Sequence, residues 1–455
     1  MYQAMLMRGA GCALLAMLAM LAACGGGAVD SPAAANDPAS SGTSVTANSS
    51  SGASITSTPT SSSSSGSSSG GSSSTSGSGS SSSSSGGSSS GTAAAGPAAR
   101  LAAKLHLPSR LLVGLGGQSN TNTKAAIASQ NLKPDIYEVY LTGLGAGDWT
   151  TWIAPAGEYV LAIAADAQSV GAIPMFVLYQ MMPSDVSPNG GKLASSNLQN
   201  STFMTSYWNN VRLMYQMIAR YGKPALVNLE PDFFGFAQQQ GLAAGQDGGK
   251  TFAYVNNNAD CESQPNNVIG IAGCLVQMAR KYAPNAFVAF PPTDWGANGN
   301  IPEVIAFNNE LNVGSADFII LQTLDGDAGC YELQVYQCAR AGTGWYWDET
   351  NTTTPNFDQF FDKVNQYQQG IGSGQLPVLL WQTPEGVPSS TRGGTQYHFR
   401  DNRENYFLTH AGQVTASHVF AITFTAGPNM TSISTDGGQF QSLSEENLAH
   451  PTALQ

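Results

Sequence analysis

The sequence predicts an α/β protein whose strand-and-helix units close into a (β/α)8 TIM barrel with long βα loops, preceded by a disordered Ser/Gly-rich tether. Eight short apolar runs alternate with helix-like patterns after residue 105, and parallel strands buried on both faces have such continuous apolar sequences. The stretch that contains them, about 350 residues, suits one barrel-sized domain. An open doubly wound sheet is the alternative, but Gly114-Leu115-Gly116-Gly117 lacks the glycine spacing of a nucleotide-binding turn.

The predicted strands are rich in Val, Ile, Leu and Phe and are bounded by Gly, Pro, Asn or Asp. They are Leu111–Gly116, Ile136–Leu141, Pro174–Gln180, Ala225–Leu229, Ala286–Phe290, Phe318–Gln322, Val378–Trp381 and Val419–Phe424. The patterns between them have the period of an amphipathic helix. They are Thr123–Leu132, Tyr159–Val170, Phe203–Tyr221, Val268–Tyr282, Pro302–Leu311, Phe357–Gln369 and Asp401–His410.

The first hundred residues contain a short apolar run and then a low-complexity tract. From Ser40 to Gly91 the chain is almost entirely Ser, Gly, Thr and Ala, and such a tract cannot bury enough apolar surface to offset its ordering entropy. We therefore divide the chain into a signal peptide at residues 1–23, a disordered linker at 24–104 and a barrel domain at 105–455. A tether of this composition has an r.m.s. reach of roughly 40–50 Å.

The apolar run Cys12–Ala23 is too short to span a bilayer and is typical of a signal-peptide core. It leads into Leu21-Ala22-Ala23-Cys24-Gly25, which resembles the lipoprotein box of bacteria, where the cysteine is acylated. The resemblance implies a lipid anchor at Cys24. Because Gly25 stands where Asp would retain the protein on the inner membrane, it also implies the outer membrane, with the domain periplasmic or exposed at the cell surface. An ordinary secretory cleavage near Ala23 is the alternative.

Four further cysteines, an even number, suit the oxidising compartment that an exported protein reaches. They are Cys261, Cys274, Cys330 and Cys338. Three connectivities are possible, and we expect the sequential one, Cys261–Cys274 and Cys330–Cys338, because it closes two short loops. No CxxC motif occurs and the five His are scattered, so neither a metal site nor a cofactor is expected.

The charge pattern disfavours nucleic acid as a partner. Lys and Arg number 18 against 30 Asp and Glu, a net charge of -12, and no stripe of basic residues occurs. Binding to nucleic acid depends on neutralising phosphates with such residues. Binding to anionic lipid headgroups depends on them as well.

Residues that directly follow the strands of a (β/α)8 barrel form its catalytic face. At these positions the sequence places amides, carboxylates and indoles. Amides and carboxylates hydrogen-bond hydroxyl groups, and indoles stack on the apolar faces of pyranose rings, so the set indicates a sugar site. The candidate binding residues are Gln118, Gln180, Trp295, Gln322, Trp345, Trp347, Trp381 and Gln382. Packing of loops onto the barrel rim is the alternative role for the tryptophans.

The fourth strand ends in Asn228-Leu229-Glu230-Pro231-Asp232. This resembles the (β/α)8 glycoside hydrolases that carry their acid/base glutamate in an Asn-Glu-Pro motif at the end of this strand, although Leu229 here separates Asn from Glu. The resemblance implies that Glu230 is the proton donor. Asp232 would raise the pKa of one member of the pair by like-charge proximity. A carboxylate pair that caps a helix or loop is the structural alternative.

A glycosidase also needs a second carboxyl group, which attacks the anomeric carbon or activates water. The candidates follow the fifth, sixth and seventh strands and are, in order of preference, Asp294, Asp325 and Glu385. The Asn-Glu-Pro hydrolases keep the nucleophile at the tip of the seventh strand, whereas Glu385 lies three residues beyond Gln382. Each of these carboxylates has a turn residue as its alternative role.

The sequence thus predicts a lipid-anchored glycoside hydrolase that cleaves a polysaccharide by carboxylate acid/base catalysis without a cofactor. A non-catalytic glycan-binding surface lipoprotein is the first alternative, because the second carboxyl group is not identified. A surface adhesin that binds another protein is the second alternative, and it predicts no response to carbohydrate.

Overall fold

The computed structural model of the protein describes residues 95–116, 120–184, 195–323, 347–388, 399–426 and 431–455. Within them, eight parallel strands close into a barrel in chain order, and the first strand pairs with the eighth. The predicted (β/α)8 barrel is therefore confirmed. The signal peptide and most of the Ser/Gly tether lie outside the described residues and stay predictions.

The strands and helices follow the predicted alternation. The strands are β1 (Leu112–Gly116), β2 (Ile136–Thr142), β3 (Ile173–Tyr179), β4 (Ala225–Leu229), β5 (Ala286–Phe290), β6 (Phe318–Gln322), β7 (Val378–Pro384) and β8 (Val419–Thr425). The helices are α1 (Pro97–Lys104), α2 (Asn120–Ser129), α3 (Glu158–Ser169), α4 (Ser201–Tyr221), α5 (Phe233–Ala243), α6 (Val268–Tyr282), α7 (Ile301–Glu310), α8 (Phe357–Gly370), α9 (Arg403–Thr409), α10 (Ala411–Ala416) and α11 (Gln439–Ala449). Single helical turns occur at Met181–Ser184 and Ser195–Leu198, and 3-10 turns at Trp149–Thr151, Gly248–Lys250, Asp294–Ala297, Val313–Ser315 and Gly372–Gly374.

Apolar side chains form two layers, one inside the barrel and one between strands and helices. Helix α4 illustrates how the outer layer forms. Asn200 caps its first turn by accepting hydrogen bonds from the backbone N–H groups of Thr202 and Phe203. The face with helical spacing that includes Tyr207 and Trp208 is buried. Trp208 is accordingly a core residue.

Helix α1 corrects the predicted start of the domain. It lies within the stretch assigned to the linker, yet Ala98, Leu101 and Ala102 are buried and belong to the same apolar cluster as Phe420, near the start of β8. These small and branched apolar residues recur at helical spacing, so they can cover an apolar surface. The folded domain therefore includes α1, and the boundary at residue 105 was placed too late.

A disulfide joins Cys261 to Cys274 on α6, with 5.4 Å between the Cα atoms, and both residues are fully buried. This pairing agrees with the sequential connectivity expected from the sequence. Cys24, Cys330 and Cys338 lie outside the described residues. In the part of the chain that the structure describes, no helix combines the length and hydrophobicity that crossing a bilayer requires.

Candidate active site

The expected site residues do not gather in one place. Gln118, Asp325 and Trp345 lie outside the described residues. The other candidates occupy five separate places around the carboxyl ends of the strands, and only one of these places is the mouth of the barrel. The mouth is also where the catalytic residues of such a fold lie.

The inner face of β2 carries an acidic residue, Glu138, which was not among the residues expected from the sequence. Because side chains alternate across a strand, Glu138 points into the barrel together with Ile136 and Tyr140. It pairs in register with Gly116, the last residue of β1, and only 1% of it is exposed. An acidic residue at an inward position of an apolar strand is the signal that could have found it, because a buried carboxyl needs a partner or a function.

Trp381 lies on β7, and strands β8 and β1 stand between β7 and the strand of Glu138. Its indole nevertheless contacts the Glu138 carboxyl inside the barrel. Its Nε1–H donates a hydrogen bond to Oε1 of Glu138 at 2.7 Å, and the indole is also 1% exposed. Burial raises the pKa of Glu138 to about 7, while the hydrogen bond from Trp381 and the nearby hydroxyl of Thr423 oppose that rise. The carboxyl therefore carries a proton on a large fraction of molecules at neutral pH, which suits a proton donor.

Three polar side chains from three strands form a hydrogen-bonded chain at the mouth. Nε2 of Gln322 donates to Oε1 of Gln382 at 3.1 Å, and Nε2 of Gln382 donates to the Tyr140 hydroxyl at 2.7 Å. The Tyr140 ring centroid lies 6.3 Å from that of Trp381 and 5.9 Å from that of Tyr179. Gln322 and Tyr140 are partly exposed, so an amide and a phenol line the open part of the mouth.

A bulge in β7 explains why two successive residues face the same site. The register with β8 shifts between Leu380 and Thr383, and Gln382 adopts a left-handed backbone conformation with a φ of 53°. Such a bulge re-aims a side chain that strict alternation would point outward. Trp381 and Gln382 therefore both reach the mouth, where the sequence had placed them.

Of the expected carboxylates that the structure describes, only Asp232 lies at the mouth. The Tyr179 hydroxyl donates to Oδ2 of Asp232 at 3.2 Å, and Tyr179 belongs to the inner layer of the barrel. Asp232 is 7% exposed and occupies the turn that joins β4 to α5. Among the described residues, the mouth holds the carboxyl groups of Glu138 and Asp232, and the rings of Tyr140 and Tyr179 lie between them.

Glu230, expected to stand at the rim of the mouth, instead faces the helix layer outside the barrel. Strand β4 has its predicted bounds, but the φ of Glu230 is 49°, and this left-handed conformation turns the side chain off the inner face. Its Oε2 accepts hydrogen bonds from the backbone N–H groups of Gln180 and Met181 at 3.0 Å each. Burial raises its pKa to about 8, while these N–H groups and the neighbouring Tyr207 of α4 oppose the rise. Glu230 therefore belongs to a buried structural contact.

Asp294 and Trp295 follow β5 but do not form the floor of the mouth. Oδ2 of Asp294 lies 2.9 Å from Nζ of Lys363 on α8. Although burial opposes ionisation, this ammonium group holds the pKa of Asp294 below its ordinary value. The Trp295 ring packs on the ring of Phe236, with 4.6 Å between the centroids. Both residues therefore bind the loop after β5 to the surrounding helices.

Gln180 and Trp347 are buried in contacts that hold loops in place. Gln180 is fully buried, and its Nε2 donates to the carbonyl oxygen of Gly143 at 2.8 Å, which ties the loop after β2 to the end of β3. The Trp347 ring is 5% exposed and lies 5.1 Å, between centroids, from the rings of Phe357 and Phe360. The indole packs against helix α8, and its ring faces are covered instead of open to a sugar.

Glu385 belongs to a buried group of carboxyls near the ends of β7 and β8. The group also contains Glu404 on α9 and Asp436, which precedes α11 and accepts hydrogen bonds from the backbone N–H groups of Gly438 and Phe440. Burial and the charge of Asp436 raise the pKa of Glu385 to about 8, and burial also raises the pKa values of Glu404 and Asp436. Across the described ranges, no set of three or more His, Cys, Asp or Glu side chains is arranged to hold a metal ion.

Comparison with known proteins relates this chain to others through its fold. No protein-family model and no curated protein matches the sequence. A modular endo-β-1,4-mannanase from Cellulomonas fimi has a similar structure, with 12% identity, a TM-score of 0.45 and coverage of 77% of this chain and 74% of that one. The family 26 domain of an endo-β-mannanase/endo-β-glucanase from Prevotella bryantii gives 13% identity, a TM-score of 0.38 and coverage of 78% and 95%.

A D-allulose 3-epimerase from Methylomonas sp. gives 13% identity, a TM-score of 0.37 and coverage of 75% of this chain and 97% of that one. Glycoside hydrolases and an epimerase therefore occur side by side among the similar structures. The likeness concerns the barrel fold, and the function has to be argued from the site.

Proposed function

We propose that this protein is a glycoside hydrolase that cleaves a polysaccharide at the barrel mouth, with Glu138 as the proton donor and Asp232 as the second carboxyl. The observation that carries the proposal is the Glu138 carboxyl, which is buried inside the mouth, is held by Trp381 and has a pKa of about 7. A general acid works best when its pKa lies near the operating pH. Glu138 replaces Glu230 in this role.

The groups around the two carboxyls suit a polyhydroxylated substrate. The amides of Gln322 and Gln382 and the hydroxyl of Tyr140 can donate and accept hydrogen bonds with sugar hydroxyls. The partly exposed ring of Tyr140, which packs beside the buried Trp381, offers apolar surface of the kind that packs on a pyranose face. A saccharide is therefore the ligand class that this mouth favours.

The proposed reaction uses the two carboxyls in different protonation states. Glu138 transfers its proton to the glycosidic oxygen while the bond from that oxygen to the anomeric carbon breaks. The new bond to the anomeric carbon forms either to an oxygen of Asp232 or to a water that loses its proton to Asp232. In the first case, the Glu138 carboxylate then takes a proton from the water that releases the sugar from Asp232.

The test is reducing-end release by the detergent-solubilised full-length protein from a panel of plant and bacterial polysaccharides. We expect Glu138→Gln and Asp232→Asn to lower kcat by about 10²–10⁴-fold. Glu230→Gln and Asp294→Asn are matched controls, because both remove a carboxylate that lies away from the mouth, and we expect their activity to stay within a few-fold of wild type. Equal activity of Glu138→Gln and wild type would contradict the proposal.

A non-catalytic glycan-binding protein is the second candidate. It is favoured by the low exposure of the two carboxyls, 1% for Glu138 and 7% for Asp232, because binding by the partly exposed Tyr140 and Gln322 needs no proton transfer. This candidate predicts that a polysaccharide binds, by calorimetry, with no product released, and that Glu138→Gln binds as wild type does.

We further propose that the domain is tethered to the outer membrane by a lipid on Cys24. The proposal rests on the sequence Leu21-Ala22-Ala23-Cys24-Gly25 and on the Ser/Gly tract that follows. Labelling of cells with an alkyne analogue of palmitate should mark the wild type in the outer-membrane fraction, and Cys24→Ser should lose both label and membrane association. Protease treatment of whole cells then distinguishes a periplasmic domain from a surface-exposed one.

A further inference from the structure

The hydrogen bond between Trp381 and Glu138 distinguishes the two oxygens of the carboxyl. Nε1 of the indole lies 2.7 Å from Oε1 of Glu138. An indole N–H can only donate, so Oε1 is the acceptor in this bond. Oε2 is buried and makes no hydrogen bond within the part of the protein that the structure describes.

A protonated carboxyl carries its hydrogen on one oxygen and accepts through the other. The hydroxyl oxygen of a protonated carboxyl is a weaker acceptor than its carbonyl oxygen, so the indole N–H favours the acid form in which Oε1 is the carbonyl oxygen. The acid form of Glu138 therefore places its proton on Oε2. We propose that Trp381 is the positioning residue of the proton donor: its indole N–H fixes Oε1 as the acceptor, so that Oε2 carries the proton that leaves. This inference rests on the proposed function.

The indole is itself held by the mouth. Tyr140 packs on the Trp381 ring and accepts a hydrogen bond from Gln382, the residue that follows Trp381 in the bulge of β7. The bulge thereby supplies both the indole that contacts Glu138 and the amide that fixes the tyrosine. Rotation of the indole away from Oε1 would disturb this packing.

Gly116 lies in close contact with the same carboxyl and with Thr425 of β8. A Cβ atom at this position would lie 3.4 Å from Cδ of Glu138 and 2.3 Å from Oγ1 of Thr425. Gly116 is the last residue of β1, so this close packing lies on the mouth side of the barrel.

Among the residues that the structure describes, few other titratable groups surround Glu138. Its own strand contributes Tyr140, and β3 and the turn after β4 contribute Tyr179 and Asp232 beyond that ring. Strand β8 contributes the uncharged Thr423, and β1 contributes Gly116. Ionisation of Glu138 is therefore the titration that most directly changes the environment of the Trp381 indole N–H.

The test is to follow the indole resonances of the full-length protein, labelled with ¹⁵N-tryptophan, from pH 5 to pH 9. The signal lost in Trp381→Phe identifies Trp381. We expect this signal to shift with a midpoint near 7 and the titration to disappear in Glu138→Gln. A signal that stays constant over this range, or that titrates equally in Glu138→Gln, overturns the proposal.

The kinetic readout separates positioning from packing. Trp381→Phe keeps an aromatic ring but removes a donor that favours the ionised carboxyl, so the pKa of Glu138 should rise. The alkaline limb of the kcat profile should move to higher pH, and kcat should fall by roughly tenfold or more with a smaller change in KM. Trp208→Phe, which removes a buried indole from the helix layer, should leave the pH profile unchanged.

The experiments can contradict the proposed hydrolase function and the positioning role of Trp381 independently of each other. If no polysaccharide is hydrolysed but the Trp381 signal titrates with Glu138, the proposed function fails and the assignment of the proton to Oε2 stands. If hydrolysis depends on Glu138 but Trp381→Phe leaves the pH profile unchanged, the positioning role is wrong and the proposed function stands.

Discussion

Tyr179 donates a hydrogen bond to Asp232 at the mouth of the barrel, with 3.2 Å between the hydroxyl oxygen and Oδ2. The bond links the last residue of β3 to the turn after β4, so it fixes the position of Asp232, the expected carboxylate that lies at the mouth among the described residues. Asp232 and Glu138 enter this site from different strands and depend on different partners, Tyr179 and Trp381.

The first prediction concerns the coupling of Tyr179 and Asp232. Tyr179→Phe removes only the hydroxyl, and we expect kcat/KM to fall by about tenfold because a misplaced catalytic group is costly. Asp232→Asn should reduce kcat/KM further, and the double variant should be no worse than Asp232→Asn alone, because one residue acts through the other. A double-mutant cycle on kcat/KM measures this coupling, and additive effects would show that Tyr179 acts independently of Asp232.

The second prediction is a loss of stability at alkaline pH. Burial raises the pKa of Glu385 to about 8 from an ordinary value of 4.5, so the folded protein binds more protons than the unfolded chain between these pH values. The unfolding free energy must therefore fall as pH rises through this window, by at most about 1.4 kcal/mol per pH unit for each such group. Glu404 and Asp436, whose pKa values are also raised, act in the same direction.

Urea unfolding of Glu385→Gln measures this effect. The variant should match wild type near pH 5 and exceed it at pH 8.5, because the amide cannot ionise. Glu446→Gln, whose side chain is 73% exposed, is the control and should follow the wild-type curve. A Glu385→Gln curve parallel to wild type would mean that Glu385 does not titrate in this range.

The third prediction concerns Gly116. A methyl group at this position would meet Oγ1 of Thr425 at 2.3 Å, a distance that requires the strand or the threonine to move. Gly116→Ala should therefore destabilise the protein by about 1–3 kcal/mol in urea unfolding and lower activity by crowding Glu138. Gly116→Ala combined with Thr425→Ala should recover much of the stability, whereas an unchanged loss would place the strain elsewhere.

The fourth prediction concerns the disulfide between Cys261 and Cys274, which are 13 residues apart. In the chain-entropy account, cross-linking a loop of this size stabilises the folded state by about 3 kcal/mol. Replacing both cysteines by Ala should therefore lower the unfolding free energy by roughly that amount, measured without reductant. The kcat at a permissive temperature should not change, because the bond lies in the outer layer, away from the mouth.

The fold was predictable because its signals are local. A parallel strand covered on both faces needs a continuous apolar run, and β4, β5 and β6 have the predicted bounds. Helix α1 was missed because its eight residues follow a low-complexity tract, and only their contact with the barrel shows that they belong to the domain.

The site was predictable only in part. Gln322, Trp381 and Gln382 were found because they end strands, and the end of a strand is visible in the sequence. Glu138 was overlooked because it lies within a strand instead of after it, although its acidic side chain among apolar neighbours marks the position.

The sequence by itself determined the barrel, the order of its strands and some of the polar residues at its mouth, namely Asp232, Gln322 and Gln382. The tertiary structure alone decided which carboxyl groups lie at the mouth. One backbone angle, a φ of 49°, turns the side chain of Glu230 away from the inner face of the barrel. Hydrogen bonds from the backbone N–H groups of Gln180 and Met181, which follow β3, stabilise the carboxylate in that position. Glu138 stays inside and meets Trp381, 243 residues away. Such contacts between distant segments form only when the barrel closes, so no local pattern of the sequence contains them.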